Sequence, residues 1–175
     1  MRKSVSLLLV ATLCVVMFGL PSAARADEMK VAKRWALGLG GNAADGGLAP
    51  TVEYWTSENF GLSASFSYFF WASMVGVRGT YLWDTPIHIF SMPARPYAGA
   101  GLGLFTVNPY LRYGTYYGPS LEVFGGLLQP LSDRWSVRAE LAASFHHVSV
   151  PGEYVYSNSY SPITLDVGIF YHSPR

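Results

Sequence analysis

Residues 60–70 alternate. Phe60, Leu62, Ala64, Phe66, Tyr68 and Phe70 fall in one phase, and Gly61, Ser63, Ser65 and Ser67 in the other. Successive side chains of a strand point to opposite faces, so the pattern predicts a strand with one bulky apolar face and one small polar face. Helical spacing would scatter both sets. The same pattern predicts seven more strands, near 33–42, 48–56, 74–83, 95–106, 118–129, 134–147 and 162–172. Turn-forming clusters separate them: Asp45-Gly46-Gly47, Ser57-Glu58-Asn59, Asp84-Thr85-Pro86 and Ser132-Asp133-Arg134. Most of these strands are about 9–12 residues, the length a tilted strand needs to cross a bilayer.

The first segment is different. Arg2 and Lys3 are followed by an apolar stretch from Val5 to Leu20, then Pro21 and the small-x-small triplet Ala24-Arg25-Ala26. This reads as a secretory signal peptide, residues 1–26, cleaved after Ala26. Residues 27–175 are then one domain. The chain's one cysteine, Cys14, lies within the leader. Leu13 before it and the apolar residues after it do not make a lipidation site. The mature chain therefore holds no disulfide, although it is exported. Removing Arg2, Lys3 and Arg25 leaves 9 basic residues against 11 acidic ones, a net charge of −2. That balance excludes a nucleic-acid binder, which needs a basic surplus. The mature chain has no run of roughly 18 apolar residues, so no membrane-spanning helix is expected.

The charges decide which face is which. Glu53, Arg78, Glu122, Arg138, Glu140 and Asp166 lie well inside the predicted strands, and all share the small or polar phase. A soluble barrel of the lipocalin-like carrier type would turn that phase to water and the bulky phase inward. A membrane barrel reverses both. The bulky phase is too large for the narrow interior of eight strands. The opposite phase is mostly Gly, Ser and Ala, as in Gly99, Gly101 and Gly103, which suits a crowded lumen. With 13% of its residues charged, the chain is also poor in charge for a solvated surface. The expected fold is all-β: an eight-stranded antiparallel transmembrane β-barrel of the outer-membrane type.

Aromatic positions support that reading. Trp35, Trp55, Trp83 and Trp135 fall at strand ends on the side of both chain termini, level with Phe60 and Tyr171. They are expected to form an aromatic girdle at one membrane interface. Phe69, Phe70 and Trp71 would begin a second girdle at the other. Eight strands place both termini in the periplasm. The outer loops are then 43–47, 71–73, 107–117 and 148–161, and the periplasmic turns are short except 84–94.

The segment Arg95-Pro96-Tyr97-Ala98-Gly99-Ala100-Gly101-Leu102-Gly103 resembles the recurrent central strand of the small eight-stranded outer-membrane barrels, the OmpA/OmpX-like and opacity-protein-like group. The ending Val167-Gly168-Ile169-Phe170-Tyr171-His172 is similar to their closing strand. That family finishes on an aromatic residue, whereas Ser173-Pro174-Arg175 follow here. The resemblance covers nearly all of residues 30–172. It implies a Gram-negative outer membrane, with lipid and lipopolysaccharide as surroundings, and insertion by the barrel assembly machinery after periplasmic chaperones.

Candidate chemistry is sparse. The interior charges are expected to form a structural network in which Arg78 and Arg138 pair with Glu53, Glu122, Glu140 and Asp166, because a buried charge needs a partner. If the network opened, a small cation-favouring pore or a hydrophobic-ligand conduit would result. His147 and Ser149 share the outward phase near the outer end of the seventh strand, which resembles the lipid A deacylase (PagL-like) barrels. There a His activates a Ser against an acyl ester. The family's Asn after the Ser is Val150 here, and the last strand offers no outward acid. His88, His146, His147 and His172 show no metal-ligand spacing. No metal or cofactor is expected. Tyr110, Tyr113, Tyr116 and Tyr117 in the third outer loop, and Tyr154, Tyr156 and Tyr160 in the fourth, are candidates for binding a host or cell-surface ligand. The leading expectation is a surface protein with an envelope-integrity or adhesive-loop role and no catalysis. A cell-wall-binding domain is not expected.

Overall fold

A computed structural model describes residues 31–42, 47–68, 72–89, 92–107, 116–148, 158–160 and 163–174. Its strands in chain order are β1 (Trp35–Asn42), β2 (Leu48–Trp55), β3 (Phe60–Tyr68), β4 (Ala72–Leu82), β5 (Ile87–Ile89), β6 (Met92–Val107), β7 (Tyr116–Pro130), β8 (Trp135–Val148), β9 (Asn158–Tyr160) and β10 (Ile163–His172). Eight of them form a closed antiparallel ring in the order β1-β2-β3-β4-β6-β7-β8-β10. β10 pairs with β8 on one side and with β1 on the other, from Ala36↔His172 to Asn42↔Asp166, which closes it. Among the described residues each strand of the ring is paired on both sides, apart from the β2–β3 positions beside Pro50, so its backbone groups meet each other and not lipid.

The turns at the foot explain why strands end where they do. After β2, Ser57 Oγ accepts from the backbone N–H of Asn59 and Phe60 at 3.3 and 3.0 Å. After β7, Ser132 Oγ accepts in the same way from Arg134 and Trp135 at 3.3 and 3.1 Å. The serine side chain thus takes over donors that the ladder no longer uses.

Three expected boundaries shift. The first strand starts at Trp35, because Lys33 adopts the left-handed φ of 56° and turns the chain beneath the barrel. The long turn after β4 holds a hairpin: β5 pairs with the start of β6, from Ile87↔Ala94 to Ile89↔Met92. The fourth outer loop contains β9, which extends β8 from His146↔Tyr160 to Val148↔Asn158. The expected leader, residues 1–26, lies outside the described residues.

The faces are those expected from the charges. Leu102 and Leu104 are 65% and 62% exposed, and Leu37, Leu39, Val52, Leu62, Val75, Val77, Leu121, Leu141 and Ile163 also face outward. These residues form an apolar belt around the ring. Inward lie the small and charged residues, capped at the foot by a buried layer of Val31, Trp55, Leu82 and Leu128. The segment before β1 is held beneath this layer. Val31 N donates to Glu58 Oε2 at 3.0 Å, and Lys33 N to Trp55 O at 2.7 Å. Arg34 ties both termini to the turn after β7, donating from Nε to Ser173 O at 2.7 Å and from Nη1 to Asp133 O at 3.0 Å.

Candidate functional site

The lumen holds two ion-pair clusters. Glu53 of β2 and Arg138 of β8 face each other across it in a two-pronged pair, with Arg138 Nη1 to Glu53 Oε1 at 3.0 Å and Nη2 bonded to Oε2. Trp55 Nε1 donates to the same carboxylate at 2.7 Å. The guanidinium lies 3.9 Å from the Phe170 ring centre. The second cluster centres on Arg78 of β4. It bonds Glu140, reaches Glu122 with Nε at 3.4 Å and lies 3.6 Å from the centre of the Phe124 ring. Tyr97 Oη donates to the other oxygen of Glu140 at 3.0 Å. Planar guanidinium groups suit such bidentate and stacked contacts, which offset the cost of burying charge.

The glycines of β6 make this packing possible. A Cβ at Gly99 would lie 2.4 Å from the Phe124 ring, and one at Gly101 would lie 2.8 Å from Cγ of Arg78. The glycine phase that marked this strand in the sequence is therefore the space that Arg78 and Phe124 occupy.

Five of the six charges expected in the network are joined in it: Glu53, Arg78, Glu122, Arg138 and Glu140. Asp166 is not. It faces the lumen but has no Arg or Lys within ion-pair distance among the described residues, and its Oδ2 accepts from Thr164 Oγ1 at 3.0 Å. β1 stands between Asp166 and β2, and the reach of both arginines is already taken. A cavity of about 110 Å³ lies beside it, lined also by Gly40, Ala49, Thr51, Ser63, Ser65, Ser67 and Glu122.

The girdle also needs a correction. Trp35, Trp83 and Trp135 face outward at the foot, paired with Tyr54, Tyr81 and Tyr171 at ring-centre distances of 4.8, 5.4 and 5.1 Å. Trp55 does not join them. It is 0% exposed and points into the lumen. The sequence held the signal, since Trp55 shares its phase with the interior Glu53. Tyr97, Phe124 and Phe170, the aromatic partners of the arginines, were not singled out, although each is a bulky residue in a small-residue phase.

The outer rim is described in part. Tyr117 is exposed, and the backbones of Tyr116 and Tyr160 lie in β7 and β9. Phe69, Phe70, Trp71, Tyr110, Tyr113, Tyr154, Tyr156 and Ser149 lie outside the described residues. His147 faces outward, next to the exposed Phe145 on the same face, and pairs in register with Ser159. Asp166, the acid of the last strand, lines the lumen on the opposite face from His147. His146 points inward and stacks on Phe105 at 4.1 Å. Among the described residues no three His, Cys, Asp or Glu side chains converge as metal ligands.

A closed eight-stranded ring with an apolar outside and an ion-paired inside has the fold of the small outer-membrane β-barrels. Two solved structures show the likeness. One is the N-terminal β-barrel domain of OprF from Pseudomonas aeruginosa, 14% identical over 81% of this chain and 98% of that one, with a TM-score of 0.64. The other is Neisserial surface protein A, 17% identical over 79% of this chain and 92% of that one, with a TM-score of 0.51. No protein-family model and no curated protein matches the sequence.

Proposed function

We propose that the chain is an outer-membrane surface barrel of a Gram-negative envelope, acting through its stability in the membrane and through its outer loops. The carrying observation is the pairing of an uncharged apolar belt with a lumen closed at the foot. The belt is far larger than the apolar patches a soluble monomer exposes, and lipid is its natural solvent. The layer of Val31, Trp55, Leu82 and Leu128 and the two ion-pair clusters above it leave no described through-path, which argues against a steady pore. Lipopolysaccharide and phospholipid are its surroundings, and the barrel assembly machinery with periplasmic chaperones its route. The tyrosine-rich third and fourth outer loops are the surface offered to a host or cell-surface ligand.

Residues 27–175 refolded in detergent should give a β-type circular dichroism spectrum and a gel mobility that changes on boiling. In planar bilayers they should give no long-lived conductance. A β-protein that folds equally well without detergent, or a steady ohmic channel, would overturn the proposal. The deacylase reading is less well supported, because the lumenal Asp166 cannot orient the outward His147. Ser149→Ala should leave lipid A acylation unchanged in cells expressing the protein. Loss of an acyl-release activity in that variant would reinstate the enzyme.

A further inference from the structure

β10 closes the ring, and its last residue is His172. The side chain is 0% exposed and shares the inward phase of Asp166 and Phe170. Ser136 Oγ of β8 meets its Nε2 at 2.9 Å. Nδ1 is buried too, and it has no hydrogen-bond partner among the described residues. A neutral imidazole has one donor and one acceptor, so either tautomer leaves Nδ1 unanswered. A charged imidazole has two donors. Its Nδ1–H would then be a buried cationic donor with nothing to meet.

The surrounding groups make a charge there harder to hold. On β8, Arg138 follows Ser136 on the inward face and stacks on Phe170. Arg34 lies in the segment before β1, and both guanidinium groups act on the imidazole as like charges. On β1, Ala36 pairs with His172 on one side and with Glu53 of β2 on the other. Glu53 is the acid at this level, and Arg138 and Trp55 Nε1 already take both of its oxygens. Arg134 O accepts the His172 N–H at 2.7 Å, while its guanidinium is exposed beside Asp133.

The same few residues clasp the seam between β10 and β1. Ser173 N donates to Trp35 O at 2.7 Å, and Trp35 N to Ser173 Oγ at 3.2 Å. Arg34 bonds Ser173 O through Nε, and its main chain holds the buried layer at the foot. Trp55 N donates to Arg34 O at 3.0 Å, and Arg34 N to Val31 O at 3.2 Å. The foot of the closing seam and the layer that seals it thus meet around one enclosed imidazole.

We propose that His172 makes this clasp acid-sensitive: the ring takes up a proton only when the foot loosens, so acid favours a state in which residues 172 and 173 part from β1 and Arg34. An exposed imidazole takes its proton near pH about 6.5. The closed foot binds none there, and the loosened foot binds one. The clasp is therefore at full strength above that pH and weakens as the pH falls below it.

The test compares residues 27–175 with the variant His172→Gln, whose side chain stays neutral at every pH used. Urea unfolding is followed in lipid vesicles. Between about pH 7.5 and about pH 5 the parent should lose at least ten-fold in its folding equilibrium constant relative to the variant. His146 and the lumenal acids are common to both chains, so the difference reports His172. Amide exchange by NMR in detergent micelles then locates the effect. Protection, corrected for the intrinsic pH dependence of exchange, should fall at least ten-fold at Trp35, His172 and Ser173 over the same range. At Val75 and Leu102, midway up the wall, it should fall far less. The same pH dependence in parent and variant would overturn the proposal, and so would an equal loss of protection at the foot and midway up the wall. If His172→Gln does not fold, the parent decides through the exchange pattern and its imidazole nitrogen signals. His172 should stay neutral where the exposed His88 is charged, and titration of the two together would overturn the proposal.

Discussion

At the scale of single residues, the Glu53–Arg138 pair carries the highest stakes. Both side chains are buried, and each answers the other's charge with two hydrogen bonds. Arg138→Ala would leave Glu53 charged and enclosed, with only Trp55 Nε1 as a donor, at a cost of about 3–5 kcal/mol. Urea unfolding in lipid vesicles, followed by tryptophan fluorescence, should show that loss. Asp166→Asn should cost clearly less, because no ion pair is broken. Gly38 gives a steric counterpart. A Cβ there would fall 2.2 Å from the Phe170 ring, which stacks on Arg138. Gly38→Ala should therefore cost about 1–3 kcal/mol by overpacking. An unchanged unfolding midpoint would mean that Phe170 can move away freely.

At the scale of elements, the alternation of each strand decides what it tolerates. Leu102 sits midway along β6, facing out, while its neighbours Gly101 and Gly103 face the lumen. Leu102→Arg should reduce folding stability in vesicles by about 2–4 kcal/mol, the depth-dependent cost of a cation on the lipid face. β5 lies off the closed ring and pairs with β6 alone among the described strands. Shortening this hairpin between Ile87 and Met92 should leave heat-modifiable mobility intact, and its loss would show that the hairpin takes part in closure. The eight barrel strands were legible in the sequence because each alternates, and in β2, β4, β7, β8 and β10 an interior charge falls in the small-residue phase. Residues 60–68 and 163–172 are the clearest cases. β5 and β9 were not legible, since three residues are too few to display a period. The start of β1 was misplaced because the left-handed turn at Lys33 is not a glycine and leaves no mark in composition. Of the site, the charged members were visible as charges in a small-residue phase. Their pairing was not, because partners such as Glu53 and Arg138 are 85 residues apart and meet only when the ring closes.

At the scale of the whole molecule, closure of the ring supplies stability to a barrel whose residues 27–175 contain no cysteine. The ring satisfies the backbone, the apolar belt faces outward, and the ion pairs bridge the lumen. These features all depend on one assignment, that odd-numbered residues of β10 face outward and even-numbered ones face the lumen. Nitroxide labels placed singly at positions 163 to 170, in protein reconstituted into vesicles, test it directly. The account predicts high oxygen accessibility and low access to a water-soluble nickel reagent at Ile163, Leu165, Val167 and Ile169. At Thr164, Asp166, Gly168 and Phe170 oxygen access should be low. The opposite alternation, or no alternation, would contradict a membrane barrel and turn the apolar face into the core of a soluble one.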